Sequence, residues 1–327
     1  MNPPVASVHV YRDRTLGMGA KALGLAALVT FLIIFSVLAD DYVLHLAILS
    51  GVAVILASSL NLLAGYAGRL SLGHAAFYGI GAYASTLVNQ KLGLPVLLSM
   101  ALAGPITALV ALIVGPVMLR LRGAHFIIVT LSFSVVIQLV VVNWIWLTNG
   151  PTGIFGIDYP TIFGYALADK RPYFYLVAVC DCIVLLGLWF IVNSRVGRAL
   201  IALREHEQLA TSIGVSPRYY FLLTLVLAAG LAGWAGALYA HYVGVITPDL
   251  LGFDVMVSML VMVVVGGKGT LIGPVLGALL VTYVPEQLRF LTDYRLTLFG
   301  LLLTACVLAF PDGIVSLGAR LRFRFSR

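Results

Sequence analysis

The 327-residue chain is 61% hydrophobic and only 10% charged, whereas an ordinary soluble domain is about 25% charged. Together with a mean hydropathy of +1.05, this composition excludes a soluble globular protein and predicts a multi-pass membrane protein. The formal net charge of +7 comes from basic residues that are dispersed along the chain, so we expect no nucleic-acid-binding surface.

Ten apolar runs predict an all-α, polytopic fold of about ten transmembrane helices, each of about 20 residues. The N-terminal stretch offers no convincing small-residue cleavage site, so we expect the first run to be retained as a span. The last three runs are short for a bilayer core of about 30 Å, and one of them could be re-entrant. The runs lie at residues 22–39, 42–64, 70–88, 95–119, 124–147, 173–192, 219–243, 252–266, 270–285 and 294–311.

The distribution of basic residues predicts the orientation of these spans, because Lys and Arg favour the cytoplasmic side of short loops. With the N-terminus inside, fifteen of the twenty Lys and Arg residues fall in cytoplasmic segments. We therefore expect both termini to be cytoplasmic. The chain then divides into a cytoplasmic N-terminal segment at 1–21, a transmembrane domain at 22–311 and a basic cytoplasmic tail at 312–327.

Two glycine-rich segments lie far apart in the chain. The first glycine motif is GYAGRLSLGHAAFYGIGAY at residues 65–83, and the second is GGKGTLIGPVLGALL at residues 266–280. Glycine at this density permits close helix packing or broken helices. The two motifs align over a few residues with one insertion, which hints at an internal repeat of a kind common in transporters. Ser71 and His74 are polar groups at membrane depth and are costly there unless they face a partner or a water-filled path.

Two apparent nucleotide-binding motifs fail on their context. GIGAYA at residues 79–84 fits a dinucleotide fingerprint, but that motif requires a preceding strand in a βαβ unit. GGKGT resembles half a phosphate-binding loop, yet Met262 stands where Gly is needed and Gly269 stands where Ser or Thr should follow Lys268. If transport uses ATP, a partner must bind it.

Asp181 is the one acid well inside a predicted span. A buried acid at this depth is a candidate for a proton relay or an ion pair. A structural role is the alternative that we favour, because no basic residue at membrane depth offers a relay partner. The outer loop at about 148–172 contains TNGPTGIFGIDYP, and its Gly and Pro content predicts ordered turns.

One charged stretch, NSRVGRALIALREHEQLATSIGVSPRYY at residues 193–220, interrupts the apolar chain on the cytoplasmic side. Its apolar residues recur at helical spacing and predict one amphipathic helix. Asn193 or Ser194 can cap its start, Gly214 suits a left-handed position after its end, and Ser216 with Pro217 suits the start of the next helix. The helix could lie solvated at the membrane surface or insert into a groove on a cytoplasmic partner. The apolar positions are Val196, Leu200, Leu203, Ala210 and Ile213.

Several segments between about residues 40 and 316 resemble, in order, the LivM-type permease subunits of bacterial branched-chain amino acid ABC importers. These segments are NLLAGYAGRLSLGHAAFYGIGAYAS, LRGAHFIIVTLSFS, NGPTGI, SRVGRALIALREHEQLATSIGV, AGALYAH and GGKGTLIGPVLGA. The resemblance implies a multi-pass protein of the bacterial inner membrane that works by alternating access. It also implies two ATPase subunits that bind ATP and Mg, a second permease of LivH type and an extracytoplasmic substrate-binding protein, with no cofactor bound by this chain.

The resemblance further implies that residues 193–219 form the coupling segment that contacts the ATPases, and that movement of this segment passes through the elbow at Gly214 into the next span. Such importers often carry Glu where this chain has Gln208, and usually Lys near the position of Tyr220. The residues implied for ATPase coupling are Arg198, Arg204, Glu205, Glu207, Gln208, Ala210 and Gly214. Those predicted to line the substrate pathway are Ser71, Gly73, His74, Phe126 and Thr130.

The predicted cargo is a branched-chain amino acid or a related small polar solute, and no residue is expected to be catalytic. Relatives of the family also carry urea, amides and aromatic acids, so the chain alone does not name its substrate. Three alternatives stay open: an ion-coupled secondary transporter, a polytopic membrane enzyme and a homodimeric sugar-type permease. The first would need acids and bases in relay positions, and the second would need a His or acidic cluster at one membrane face.

Overall fold

The computed structural model describes residues 34–162 and 164–287, together with residues 300, 301, 304, 308 and 313–315. The predicted N-terminal segment at 1–21 lies outside the described residues, and the predicted first span, last span and basic tail lie largely outside them. The chain divides into two compact units, Met1–Leu44 and His45–Arg327, and the candidate site belongs to the second.

Eleven α-helices and four two-residue strands follow one another between residues 41 and 287 of the described chain. The helices are α1 (Asp41–Asn61), α2 (His74–Leu92), α3 (Val96–Met118), α4 (Ala124–Asn143), α5 (Ile145–Thr148), α6 (Lys170–Asn193), α7 (Arg195–Glu205), α8 (Glu207–Ser212), α9 (Pro217–Val243), α10 (Phe253–Gly266) and α11 (Ile272–Gln287). The strands are β1 (Ile154–Phe155), β2 (Thr161–Ile162), β3 (Tyr165–Ala166) and β4 (Val245–Ile246). β1 pairs antiparallel with β4, and β2 pairs antiparallel with β3.

Within the described residues, five helices are long and apolar enough to cross a membrane. They are α1 with the π-helical turn Leu62–Tyr66 that extends it, α3, α4, α6 and α9. The all-α class predicted from composition is confirmed for the described chain, while the number of ten spans stays a prediction. α2 has 19 residues but lower hydrophobicity, and it is buried along most of its length. A helix surrounded by protein need not be as apolar as one that faces lipid.

Close packing of small residues brings α2, α3 and α9 together. A Cβ atom on Gly81 of α2 would collide with the backbone of Gly233 in α9, and a Cβ on Gly233 would collide with the side chain of Thr107 in α3. Thr107 itself donates a hydrogen bond to the Ala103 carbonyl of its own helix, so its hydroxyl is satisfied in the core. Close helix packing, one of the two geometries that the glycine content of the first motif permits, is therefore present at Gly81.

The first glycine motif is a broken helix and not one continuous span. The apolar run predicted at 70–88 begins as a helix only at His74, and the residues between Tyr66 and His74 are not helical. Gly68 has φ +70°, a conformation that residues with a side chain rarely adopt. Of the two geometries that the glycine content permits, this region has the broken one, and close helix packing begins further along at Gly81.

The prediction of one amphipathic helix in the charged stretch is wrong in one respect, because α7 and α8 are separated at His206. This residue has φ −149° and ψ 87°, which is incompatible with a continuing helix. Leu203 before the break and Ala210 after it are both buried, as their spacing predicts, whereas Ile213 is 80% exposed. The extended residue redirects the chain so that Glu207 reaches two arginines outside the segment.

Candidate functional site: the coupling segment and the two glycine motifs

Local turn chemistry fixes both ends of the coupling segment. The hydroxyl of Ser194 accepts a hydrogen bond of 3.0 Å from the Val196 N–H, which caps the start of α7. Gly214 has φ +91°, and Ser216 and Pro217 then start α9. The elbow predicted from Gly214 and Pro217 is thus confirmed, and it connects the short helices directly to a candidate span.

Glu207 joins the coupling segment to two neighbouring loops. Its carboxylate accepts a hydrogen bond of 3.3 Å from Arg69 Nη2. Arg122 Nη2 lies 3.1 Å from the other carboxylate oxygen, as an ion pair without hydrogen-bond geometry. The Arg69 side chain is 11% exposed and that of Arg122 is 74% exposed, so Arg69 is the better shielded partner.

Arg69 has further contacts that fix its position beneath α9. It donates a hydrogen bond of 3.3 Å to the Leu121 carbonyl, and its guanidinium lies 4.3 Å from the ring centroid of Phe221. Burial lowers the pKa of Arg69, and the Glu207 carboxylate opposes that shift. A guanidinium stays protonated in proteins, so Arg69 pairs with the Glu207 carboxylate as a cation.

Arg204 extends from α7 into the space between the two glycine motifs. Its Nη1 donates a hydrogen bond of 2.7 Å to the Gly65 carbonyl, and the other side of the guanidinium binds Glu205. A Cβ atom on Gly68 would lie 2.7 Å from Arg204 Cγ, and one on Gly269 would lie 2.9 Å from Arg204 Nη1. Glycine at both positions therefore makes room for this side chain.

The side-chain amide of Asn61 binds the second glycine motif at the end of α1. Its nitrogen donates a hydrogen bond of 2.8 Å to the Thr270 carbonyl, and its oxygen accepts one of 2.8 Å from the Gly269 N–H. Asn61 is 2% exposed, so both bonds are shielded from water. The structure thus brings together the two motifs that the sequence suggested were related, while the internal repeat stays a prediction.

The opposite face of the coupling segment carries exposed apolar side chains. Leu209 is 66% exposed and Ile213 is 80% exposed, and they stand four positions apart. Beside them, a cavity of about 330 Å³ is lined by Arg122, Glu207, Gln208, Thr211 and Ser212. Exposed apolar residues that are rimmed by polar groups are typical of a protein-binding surface.

The five predicted pathway residues are buried, and several of them lie together. The Leu72 N–H donates 3.1 Å to Thr130 Oγ1, and a Cβ atom on Gly73 would lie 2.6 Å from the Thr130 carbonyl oxygen. Ser71 Oγ accepts a hydrogen bond of 3.3 Å from the Gly73 N–H. Phe126 lies one turn before Thr130 on α4 and is 1% exposed.

His74 begins α2 and is fully buried. Its Nε2 lies 3.0 Å from Ser59 Oγ, and its ring packs against that of Phe77 at 6.1 Å. Among the described residues no group hydrogen-bonds its Nδ1. A buried ring nitrogen without a partner is unusual and keeps His74 a candidate for contact with a transported solute.

The outer loop has the ordered turns that its sequence predicts. β1 pairs with β4, and the Ile157 N–H donates 3.2 Å to the Gly244 carbonyl. His241, at the end of α9, is fully buried. Its Nδ1 donates 2.7 Å to the Asp158 carbonyl, and its Nε2 lies 2.9 Å from Ser85 Oγ.

Comparison with known proteins assigns the chain to a family. A protein-family model described as "Branched-chain amino acid transport system / permease component" matches residues 42–310. The chain belongs to this family. The resemblance noted in the sequence is therefore confirmed, and the chain is a transport permease of the multi-pass membrane class.

Named relatives include both types of permease component. The high-affinity branched-chain amino acid transport system permease protein LivM of Escherichia coli is 32% identical over 321 residues, covering 90% of this permease and 75% of that protein. LivH of the same organism is 26% identical over 272 residues, covering 77% and 87% respectively. A probable LivM of Methanocaldococcus jannaschii is 24% identical over 318 residues, covering 81% and 90%. No solved structure gives a significant match.

The structure separates the seven residues predicted to couple to the ATPases into two groups. Arg204 and Glu207 contact distant parts of their own chain, and Ala210 is buried. The others are exposed, and the hydrogen bonds that they make within the described chain join them to neighbouring residues of the segment: Arg198, Glu205, Gln208 and Gly214. Sequence reasoning did not select Arg69 and Asn61, although Arg69 stands inside the first glycine motif and Asn61 just before it.

Asp181 lies on α6 beside Gly51 of α1. A Cβ atom on Gly51 would be 2.8 Å from Asp181 Oδ2. Within the described chain, Oδ1 is buried and has no hydrogen-bond partner. The choice between a structural role and an ion-pair or relay role stays as open as the sequence left it.

Proposed function

We propose that this permease is one subunit of an ATP-driven importer that carries branched-chain amino acids, or related small polar solutes, across the membrane by alternating access. Membership of the family and the names of its LivM and LivH relatives support the substrate class. The chain itself is a transport subunit, and ATP with Mg is bound by partner ATPase subunits.

The coupling segment is the observation that carries this proposal. One of its faces is braced against the permease by Arg204 and Glu207, while Leu209 and Ile213 extend from the other into solvent. A short helical element of this kind, connected through an elbow to a span, is suited to insertion into a groove on a second protein. The partner on this side is then the ATPase.

The complete complex contains two ATPases, a second permease of LivH type and an extracytoplasmic substrate-binding protein, in the bacterial inner membrane. In this arrangement the permease has ten spans with both termini in the cytoplasm. Its parts are the N-terminal segment at 1–21, the transmembrane domain at 22–311 with the coupling segment at 193–219, and the basic tail at 312–327. The chain binds no cofactor of its own.

The substrate pathway includes Ser71, Gly73, His74, Phe126 and Thr130. Their burial is consistent with a route that is closed in this conformation and opens when the helices move. A zwitterionic amino acid needs a few polar groups along a mostly apolar path and no tight charged site. The high-affinity selection then belongs to the binding protein.

Leucine uptake by the reconstituted complex tests the function. Proteoliposomes that contain this permease and its co-purified partners should accumulate leucine when ATP is present inside, and uptake should persist after an ionophore dissipates ion gradients. Excess isoleucine and valine should compete with leucine. Competition only by urea, an amide or an aromatic acid would move the substrate to the second candidate class.

An ion-coupled secondary transporter is the second candidate mechanism, because Asp181 is an intramembrane acid with an unsatisfied oxygen. In that case the ionophore would abolish uptake and ATP depletion would not. Asp181→Asn would then abolish uptake as well. For the ATP-driven importer that we propose, the same variant should retain ATP-dependent uptake.

A further inference from the structure

Arg204 contacts both glycine motifs from the coupling segment. Its guanidinium donates to the Gly65 carbonyl at 2.7 Å, and Gly269 leaves it room from the other motif. Gly65 belongs to the π-helical turn in which α1 ends, where the regular helical hydrogen bonds are interrupted. A carbonyl in such a turn is free to accept an external donor.

From Gly65 the chain reaches the predicted substrate pathway within a few residues. It passes Gly68, which packs against Arg204, and arrives at Leu72, whose N–H donates to Thr130 Oγ1. Gly73 then packs on the Thr130 backbone before α2 begins at His74. The contact made by Arg204 is therefore connected to the pathway through a short stretch of non-helical backbone.

Asn61 binds the second glycine motif to the end of α1 through its hydrogen bonds with the backbone of Gly269 and Thr270. Arg204 and Asn61 thus hold three backbone segments against one another: the end of α1, the non-helical stretch before α2 at Gly68 and the loop before α11. Each of these lies at the end of a helix, where a displacement would move the whole helix.

The surface ion pair of Arg204 adds little to the stability of the fold. The Arg204 side chain is 34% exposed, and its ion pair with Glu205 is a neighbouring surface contact. Such pairs contribute about 0 to 1 kcal/mol to folding. The hydrogen bond from Arg204 to the Gly65 carbonyl, 139 positions earlier in the chain, instead connects α7 with the turn that ends α1.

We propose that Arg204 is a positioning residue for transport, which makes the coupling segment move together with the two glycine motifs and so transmits ATPase movement to the pathway around Gly73 and Thr130. The proposal rests on the proposed function, since it assumes that the coupling segment contacts an ATPase. It adds to that function the residue that connects this segment with the helices that bound the pathway.

The test measures how many leucine molecules the reconstituted complex transports for each ATP that it hydrolyses. Arg204→Ala should leave assembly with the ATPases intact and ATP hydrolysis within about twofold of normal, while transport per ATP falls roughly tenfold, as expected from loss of a charged hydrogen bond. Arg204→Lys should recover part of the ratio, because one ammonium can reach one carbonyl but lacks the planar fork. Arg195→Ala, at an exposed arginine of the same helix, is the matched control and should behave as the unaltered complex.

Two results would overturn the proposal. One is a normal ratio of transport to hydrolysis in Arg204→Ala. The other is a loss of assembled complex while the remaining complexes keep the normal ratio, since that pattern belongs to a purely structural residue. If the unaltered complex shows no ATP-driven uptake, the proposed function itself fails, and this outcome is distinct from both.

Discussion

The coupling segment and the outer loop are both non-spanning parts of the permease, but they are held in different ways. The outer loop is fixed by backbone pairing of β1 with β4 and by the fully buried His241. The coupling segment buries Leu203 and Ala210, but its polar side-chain contacts with distant parts of the chain are made by Arg204 and Glu207, which remain partly exposed. Water or a partner can replace such ionic contacts at low cost, whereas buried backbone pairing cannot be exchanged in this way. From this comparison we predict that the outer loop is a rigid platform and that the coupling segment is the part that moves.

Gly153→Ala should have the largest effect, because it disrupts the contact between the outer loop and β4. Gly153 has φ +77°, and a Cβ atom there would collide with the Ile246 carbonyl oxygen in the paired strand. We expect a loss of about 3 kcal/mol in stability, from backbone strain and overlap together. Thermal unfolding of the purified complex measures it.

The matched control for that change is Gly156→Ala in the same loop. Gly156 has φ +68° but nothing within 4 Å of an added Cβ, so only the backbone strain of about 1 to 2 kcal/mol applies. Equal losses for the two variants would contradict the rigid platform, because they would mean that the contact with Ile246 does not matter.

Arg69→Ala and Arg122→Ala each remove one of the two arginines that pair with the Glu207 carboxylate of the coupling segment. The Arg69 side chain is shielded, and its loss also removes the contacts with Leu121 and Phe221. We expect a cost of about 2 kcal/mol for Arg69→Ala and less than about 0.5 kcal/mol for the exposed Arg122. The melting temperature of each complex at low and high salt reports the difference. Equal losses would contradict the conclusion that Arg69 is the better shielded partner of Glu207.

Gly214→Ala should have a smaller effect on stability than Gly153→Ala or Arg69→Ala. The residue has φ +91° and open space around an added Cβ, so the strain is confined to the backbone and costs about 1 kcal/mol. Gly214→Asn should cost less, because Asn tolerates positive φ better than Ala does. Leucine uptake should follow the same order if the elbow transmits movement, and identical uptake in both variants would argue against that role.

The elbow was predictable from the sequence, because turn chemistry is local. Gly214, Ser216 and Pro217 fix the end of one helix and the start of the next through their own backbone preferences. The break at His206 was not predictable, since Leu203 and Ala210 stand two helical turns apart and keep the same face buried on either side of it.

The inward orientation of Arg204 was not predictable for a different reason. Its acceptor, the Gly65 carbonyl, lies 139 positions away in the chain and is a backbone group that every residue has. The sequence did contain a signal in the glycines at 68 and 269, because each makes room for a neighbouring side chain. Only the fold identifies which side chain that is.

Cross-linking from the coupling segment to the ATPase tests the central claim most directly. In a variant whose cysteines at 180, 182 and 306 are replaced, a single cysteine is introduced at Leu209, at Ile213 or, as a buried control, at Leu203, which is 3% exposed. A reagent that joins cysteine to lysine should connect the ATPase to the cysteines at 209 and 213, with a yield that changes when ATP binds, and should leave the cysteine at 203 unlinked. Absence of cross-links at 209 and 213 in a complex that still hydrolyses ATP would contradict the account.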